Sequence, residues 1–202
     1  MEPEHISAYA LALDSYAPSP DHVPVSRGAS AWRARARGAQ DQDRAAAMYE
    51  LADDEFGRAG MGWYEISNWA RPGRASRHNN VYWQSESWAA VGPGAHAFDG
   101  VATRRWNDAS LDAYLSALDK GWLPTGGSAV SDAASVAGER TMLALRTAAG
   151  VPRDASNMAL TWGLDNDLLE GIGERVRLTR RGRLLSNELF VRLVPEAEAA
   201  AA

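Results

Sequence analysis

Residues Ile6 to Leu13 read I-S-A-Y-A-L-A-L and are apolar on both alternating faces. A strand with one wet face alternates apolar with polar, whereas a strand covered on both sides, as in a parallel sheet flanked by helices, does not. The stretch therefore predicts an α/β protein. From Asp41 to Ala59 the apolar positions Met48, Leu51, Ala52, Phe56 and Ala59 recur at helical spacing, and Gly60 supplies a left-handed residue that ends a helix. Trp63 to Ile66 is a second short apolar run. Strand, helix and strand make a βαβ unit whose two strands should run parallel. Two strands do not complete a sheet, so further partners are expected upstream of Met1.

Outward from this unit, Tyr16 to Gly38 holds three Pro and four Arg and reads as an exposed loop with a basic edge. Ala70 to Asn107 is rich in Gly, Arg and aromatic residues without long periodicity, which predicts an ordered loop region with short strands, the kind that carries sites. Ser110 can cap a helix bearing Leu111, Tyr114, Leu115 and Leu118, stopped by Gly121. A second helix is expected from Asp132 to Ala148. A short helix near Leu168, a strand at Arg175 to Thr179 and a helix from Arg181 to Leu193 suggest a small helical domain with a wing. The tail from Pro195 lacks an apolar stripe and reads as frayed. These boundaries divide the chain into residues 1–107, 108–194 and 195–202.

The chain has 202 residues, with 21 Lys plus Arg against 26 Asp plus Glu, for a formal charge of -5. That balance repels a phosphate backbone, so nucleic acid is not an expected partner, and packing is the preferred reading of the basic residues around the wing. Zero Cys removes disulfides, thiolate zinc sites and thiolate ligation of an iron–sulfur cluster by these residues. No window reaches the roughly 18 consecutive apolar residues of a membrane span. Met1 to His5 carries two Glu and no basic-then-apolar leader, so the expected compartment is the cytoplasm.

Three stretches could carry chemistry. The densest is R-H-N-N-V-Y-W, Arg77 to Trp83, with Trp69, Arg71 and Arg74 before it and Trp88 after. A neutral imidazole can ligate iron, aromatic rings can lie against a macrocycle, and guanidinium groups pair with carboxylates. The same residues would equally serve a packed turn, with His78 and Asn79 hydrogen-bonded and Tyr82 and Trp83 in a core. The second stretch is A-V-G-P-G-A-H-A, Ala90 to Ala97, which shares its glycine spacing with dinucleotide sites. Pro93 removes an amide there, and a sharp turn at a strand end explains it better. The third is Y-E-I-S-N-W-A-R-P-G, Tyr64 to Gly73, where Glu65, Ser67 and Asn68 would project from a strand terminus, either as reactive groups or as structural hydrogen-bond partners. His5, His22, His78 and His96 form no HExxH pair, and no G-x-S-x-G elbow is present, which removes metallohydrolase and serine hydrolase readings.

Together H-I-S-A-Y-A-L (His5 to Leu11), W-Y-E-I-S-N-W-A-R-P-G, R-H-N-N-V-Y-W and G-P-G-A-H resemble the HemW-type heme chaperones. These are relatives of oxygen-independent coproporphyrinogen oxidase in the radical S-adenosylmethionine superfamily. The resemblance runs from His5 to about Leu193 and includes L-T-R-R-G-R-L-L, Leu178 to Leu185. It implies the last strands of a partial (β/α) barrel followed by a small winged-helix-like domain. It implies a heme-binding motif at His78, Asn79, Tyr82 and Trp83, with His78 as iron ligand, Tyr82 and Trp83 bracketing the macrocycle, and Arg71, Arg74 or Arg77 meeting propionates. It also implies contacts of Ala12 and His96 with S-adenosylmethionine. Heme and apo-hemoprotein recipients are the implied partners, with a homodimer as one assembly state. The family's cluster-binding cysteines and first barrel strands should precede His5. Ser76 stands where relatives often have Cys, and Asn80 replaces a commoner Leu. With no thiolate for a 4Fe-4S cluster, the expectation is heme handling by a chain truncated before its cluster motif. The alternatives are part of a coproporphyrinogen oxidase-like enzyme of porphyrin biosynthesis, completed by cluster-bearing residues from elsewhere, and an inactive fragment.

Overall fold

The computed structural model describes residues 2–10 and 41–194. The Tyr16 to Gly38 loop, Ala12 and the tail from Pro195 lie outside the described residues. The fold is mixed α/β, built around three small sheets.

The first sheet contains β1 (His5–Ser7), β2 (Gly62–Glu65) and β3 (Asn68–Ala70) in the order β1-β3-β2. β1 and β2 each pair antiparallel with β3, so they run in the same direction but do not touch. The expected parallel pairing is therefore corrected. Only Ile66 and Ser67 link β2 to β3, and a connection that short can only reverse the chain. The segment after Trp63 to Ile66 thus becomes the central strand of the sheet.

Between β1 and β2 lies α1 (Gln42–Arg58), capped by the Asp41 carboxylate, which accepts from Asp43 N and Arg44 N at 3.0 and 3.1 Å. The helix stands where its periodicity puts it, but its inward face differs. Met48 and Leu51 are 61% and 60% exposed. Tyr49, Ala52, Asp53 and Phe56 turn inward instead, at i, i+3, i+4 and i+7. The fully buried Trp69 lies 5.5 Å from the Tyr49 ring and 5.2 Å from that of Phe56, and its indole donates to Asp53 at 2.8 Å. Asp53 also receives both terminal nitrogens of Arg183, at 3.0 and 2.7 Å. A buried carboxylate with a charged partner thus sets the helix's rotation.

α2 (Arg77–Trp83) follows in a region expected to be loop and short strands. Ser76 is its cap, accepting from Asn79 N at 3.2 Å. The second sheet is antiparallel, with β4 (His96–Phe98), β5 (Thr103–Asn107) and β6 (Thr125–Val130) in sequence order. Its register aligns Ala97 with Arg105 and Arg105 with Ser128. The Gly92-Pro93-Gly94 segment is the turn into β4, with φ +100° and +68° at the two glycines, and no helix follows it. α3 (Leu111–Asp119) begins at the expected Ser110 cap. Its leucines at 111, 115 and 118 stay exposed, while Tyr114 is half-buried and its hydroxyl accepts from Gly92 N at 3.1 Å.

The largest core belongs to the last part of the chain. α4 (Ala133–Leu145), β7 (Val151–Pro152), α5 (Met158–Asp165), β8 (Leu169–Ile172), β9 (Arg175–Leu178), α6 (Arg180–Leu184) and α7 (Ser186–Phe190) surround it. Leu145, Leu160, Leu169, Val176, Leu178, Leu189 and Phe190 are buried together there with Ile66 from the turn between β2 and β3. Each such side chain contributes roughly 1.5–3 kcal/mol by leaving water. The helix expected from Arg181 to Leu193 is two short helices interrupted at Leu185. Gly182 meets the Leu168 backbone so closely that a side chain there would collide with its carbonyl. The arginines around β9 and α6 are engaged internally. Arg175 donates to the carbonyls of Ala149 and Gly150, Arg177 pairs with Glu170, Arg180 with Asp53 and Asp54, and Arg181 donates to the Asn166 carbonyl. No helix among the described residues is long and apolar enough to cross a membrane.

Candidate functional site

Successive residues of a helix point about 100° apart, so a four-residue step returns to the same face. α2 uses that rule to divide its motif in two. His78 and Tyr82 share one face, where the Tyr82 hydroxyl and His78 Nε2 form a hydrogen bond of 3.0 Å. Their rings stand edge to face, 5.1 Å apart. Asn79 and Trp83 share another, turned toward the first sheet and α4. Tyr82 and Trp83 therefore lie on different faces of α2 and meet different neighbours.

The inner face is pinned by a continuous polar network. Asn79 Nδ2 donates to the Tyr64 hydroxyl and to Asn68 Oδ1, both at 3.4 Å. The Tyr64 hydroxyl bonds His5 Nε2 at 2.8 Å, and burial pushes its pKa above the usual phenol value. Asn68 Oδ1 also accepts from Ser7 Oγ at 2.6 Å. Beneath lies Glu65, wholly buried, whose carboxylate accepts from Ser67 N at 3.0 Å, Asn68 Nδ2 at 2.5 Å, and Arg146 Nε and Nη2 at 3.0 and 2.7 Å. With its acceptor sites filled, this carboxylate holds the β2–β3 turn and faces no ligand. The Arg146 guanidinium also covers the Trp83 ring at 4.8 Å. The Trp83 indole N–H is buried with no acceptor among the described residues.

The outer face continues into a row of aromatic side chains. Tyr82 lies 4.8 Å from Trp88, and Trp88 lies 5.1 Å from Phe98, with a backbone bridge between Trp88 and Phe98. Arg104 sits over both rings, at 5.6 and 5.0 Å, and is held by Glu139. His96 is exposed and stacks on Trp106 at 5.7 Å, while its carbonyl accepts from the Trp88 indole at 3.0 Å. Arg71 and Arg74 are paired with Glu2 and Glu4 at 3.2 and 3.3 Å, and Trp69 belongs to the core. Of the residues flagged by the sequence, the structure brings together His78, Tyr82 and Trp88 on the outer face, and Glu65, Ser67, Asn68 and Asn79 on the inner one. Phe98 and Arg104 join the outer group and Arg146 the inner one, through contacts over long sequence separations that no local motif signals. No group of three or more His, Asp or Glu among the described residues could hold a metal ion, and the sequence contains no Cys.

This arrangement defines an α/β protein with an exposed imidazole beside an aromatic wall. Its fold is similar to that of coproporphyrinogen III oxidase (HemN) from Escherichia coli, with a TM-score of 0.53 and 12% identity over 73% of this chain and 40% of that one. In sequence it is similar to the heme chaperone HemW of Mycobacterium tuberculosis strain H37Rv, at 37% identity over 195 residues, covering 91% of this chain and 46% of that protein. The Bacillus subtilis heme chaperone HemW is 30% identical over 161 residues, 74% of this chain and 42% of its own length. The mouse mitochondrial radical S-adenosyl methionine domain-containing protein 1 is 38% identical over 96 residues, 46% of this chain and 19% of its own. No family model matches. The chain is HemW-like in sequence along nearly its whole length, as its motifs implied, and it spans less than half the length of these relatives.

Proposed function

We propose that this chain carries the heme-holding surface of a HemW-type heme chaperone, with His78 as the iron ligand. The observation that carries the reading is the division of α2. The Asn79–Trp83 face is locked to Asn68, Tyr64 and Arg146, so the adjacent face presents His78, Tyr82 and the neighbouring Trp88 with little freedom to lose on binding. Imidazole is a common heme ligand, and an apolar ring wall suits a flat macrocycle. Asn79 and Trp83 are positioning residues in this reading.

The same reading takes residues 1–107 as the end of a partial (β/α) barrel plus the heme region, and 108–194 as a C-terminal domain whose β8–β9 hairpin is the wing. The barrel assignment rests on the co-directional β1 and β2 and on the resemblance. Delivery of heme to apo-hemoproteins is the role that the similarity to HemW supports, and the cytoplasm is the compartment proposed for it. A 4Fe-4S cluster does not fit these 202 residues, which contain no thiolate, and no reductive step is assigned to them. A contact of His96 with S-adenosylmethionine would use its exposed ring edge.

Hemin titration followed by Soret absorbance tests the reading. The full chain should show saturable binding with a shifted Soret band, and His78→Ala should bind at least about tenfold more weakly, roughly 1.4 kcal/mol. Because His78 is exposed and its side chain bonds only Tyr82, the variant should still unfold cooperatively, with a Tm lowered by no more than a few degrees. Binding by His78→Ala equal to that of the parent would remove the assigned ligand.

A further inference from the structure

A helix that turns His78 outward turns other side chains to its far side. Successive helical residues are about 100° apart, so Asn80 and Gln84 lie roughly 200° and 240° round α2 from His78. Both line a cavity of about 540 Å³. Its other walls are Trp83, Arg140 and Ala144 of α4, and the turn from Thr147 to Gly150 that leads into β7. That volume lies within the range of about 300–1,000 Å³ common for small-molecule sites.

The walls bring positive charge without a compensating carboxylate. Arg140 and Arg175 are both in the lining, which contains no Asp or Glu. Neither arginine forms an ion pair among the described residues, and each is held by backbone carbonyls instead. Arg140 Nη2 donates to the Gly100 carbonyl at 3.0 Å, and Arg175 donates through Nε and Nη2 to the carbonyls of Ala149 and Gly150 at 2.8 and 2.7 Å. A carbonyl positions a guanidinium without cancelling its charge. The turn that supplies two of these acceptors is closely packed: Gly150 has φ +60°, and a Cβ there would run into the Val176 carbonyl. Arg140 keeps Nε and Nη1, and Arg175 keeps Nη1, without partners among the described residues. Trp83 adds a buried indole N–H that lacks an acceptor there. Donors are therefore in surplus, and Ala75, Ala144 and Ala148 set apolar surface beside them.

We propose that this cavity is a second binding site, on the far side of α2 from His78, for a small organic acid: a carboxylate or phosphate group carried on an apolar body. The acidic group takes the open N–H groups of Arg140 and Arg175, where charge-assisted hydrogen bonds favour it over a neutral group. The apolar body lies along the alanines and Trp83. The site stands independently of the heme reading, because neither His78 nor Tyr82 is in its lining.

Isothermal titration calorimetry with naphthoate, naphthyl phosphate and the neutral naphthol on the full chain tests the site. The parent should bind at least one of the two acids at a single saturable site, about tenfold or more tightly than naphthol, and the tighter acid identifies the anionic group. Arg140→Gln should weaken acid binding by about tenfold and leave naphthol unchanged. Arg175→Gln should do the same; because Arg175 also ties the turn before β7, Arg140→Gln carries the test if that variant does not fold. Arg105→Gln, which alters an exposed arginine outside the cavity, and His78→Ala should bind the acid as the parent does. Equal affinity for naphthol and the acids, acid binding undiminished in Arg140→Gln, or a matching loss in Arg105→Gln or His78→Ala overturns the proposal. Failure of the parent to bind either acid at millimolar concentration overturns it as well, and leaves the heme reading untouched.

Discussion

At the scale of single residues, His78 is already spoken for in the unliganded chain. Its Nε2 shares a 3.0 Å hydrogen bond with the Tyr82 hydroxyl, and iron would have to displace that contact to use the same nitrogen. An exposed bond of this kind contributes about 1 kcal/mol. Tyr82→Phe keeps the ring against Trp88 and removes the competitor, so hemin affinity should rise, by up to about fivefold, as read in the Soret titration. Glu65 makes the opposite case. Its buried carboxylate is neutralised by Arg146, so Arg146→Ala should strand the charge and cost roughly 3 kcal/mol, seen as a lower urea midpoint. The same variant should loosen Trp83 and weaken hemin binding indirectly, since the guanidinium covers that ring.

At the scale of elements, three helices are positioned by what they touch rather than by intrinsic preference. α2 has only seven residues, too few to be stable alone, and depends on its Ser76 cap and on the Asn79 network. α6 has five, and it packs against the Leu168 backbone through Gly182, where no side chain fits. Gly182→Ala should therefore destabilise the protein by roughly 2 kcal/mol through forced separation of α6 from the start of β8. Differential scanning calorimetry reads this as a lower Tm. α1 shows how one polar residue can override an apolar stripe. Asp53 must face Arg183 and Trp69, and Met48 and Leu51 are left in solvent as a result.

At the scale of the whole molecule, the Asp53–Arg183 contact ties the helix between β1 and β2 to the C-terminal core, across 130 residues of sequence. Burial raises the Asp53 pKa, but hydrogen bonds from Arg183 and Trp69 and the charges of Arg183 and Arg180 outweigh it and hold the carboxyl below its ordinary value. A carboxyl depressed in the folded state stabilises the fold above its unfolded pKa and loses that contribution as pH falls. Urea midpoints should thus drop below about pH 4, and the drop should be shallower in Asp53→Asn. Tyr49, whose hydroxyl donates to the Ile66 carbonyl at 2.7 Å, acts at the alkaline end. Burial is the main cause that pushes its pKa up to about 12; Arg183 opposes this, and Asp53 adds to it. Its contribution is complete below the unfolded value near 10 and fades as pH rises toward 12. Tyr49→Phe should flatten that alkaline decline.

Much of this was written locally in the sequence. The caps at Asp41, Ser110 and Asp132, the α1 and α4 helices, the turn at Gly92-Pro93-Gly94 and the motif from Arg77 to Trp83 depend on neighbours a few residues away, and periodicity and turn chemistry report such interactions directly. The resemblance to HemW came from the same short stretches. Tertiary structure alone decided that β3 enters between β1 and β2, that α1 buries Asp53 in place of Met48 and Leu51, and that α2 turns His78 outward and Trp83 inward. It also decided that Arg146 reaches Glu65 over 81 residues. Each of these depends on a partner distant in sequence, and a buried charge or a shared strand edge leaves no periodic trace in the residues around it.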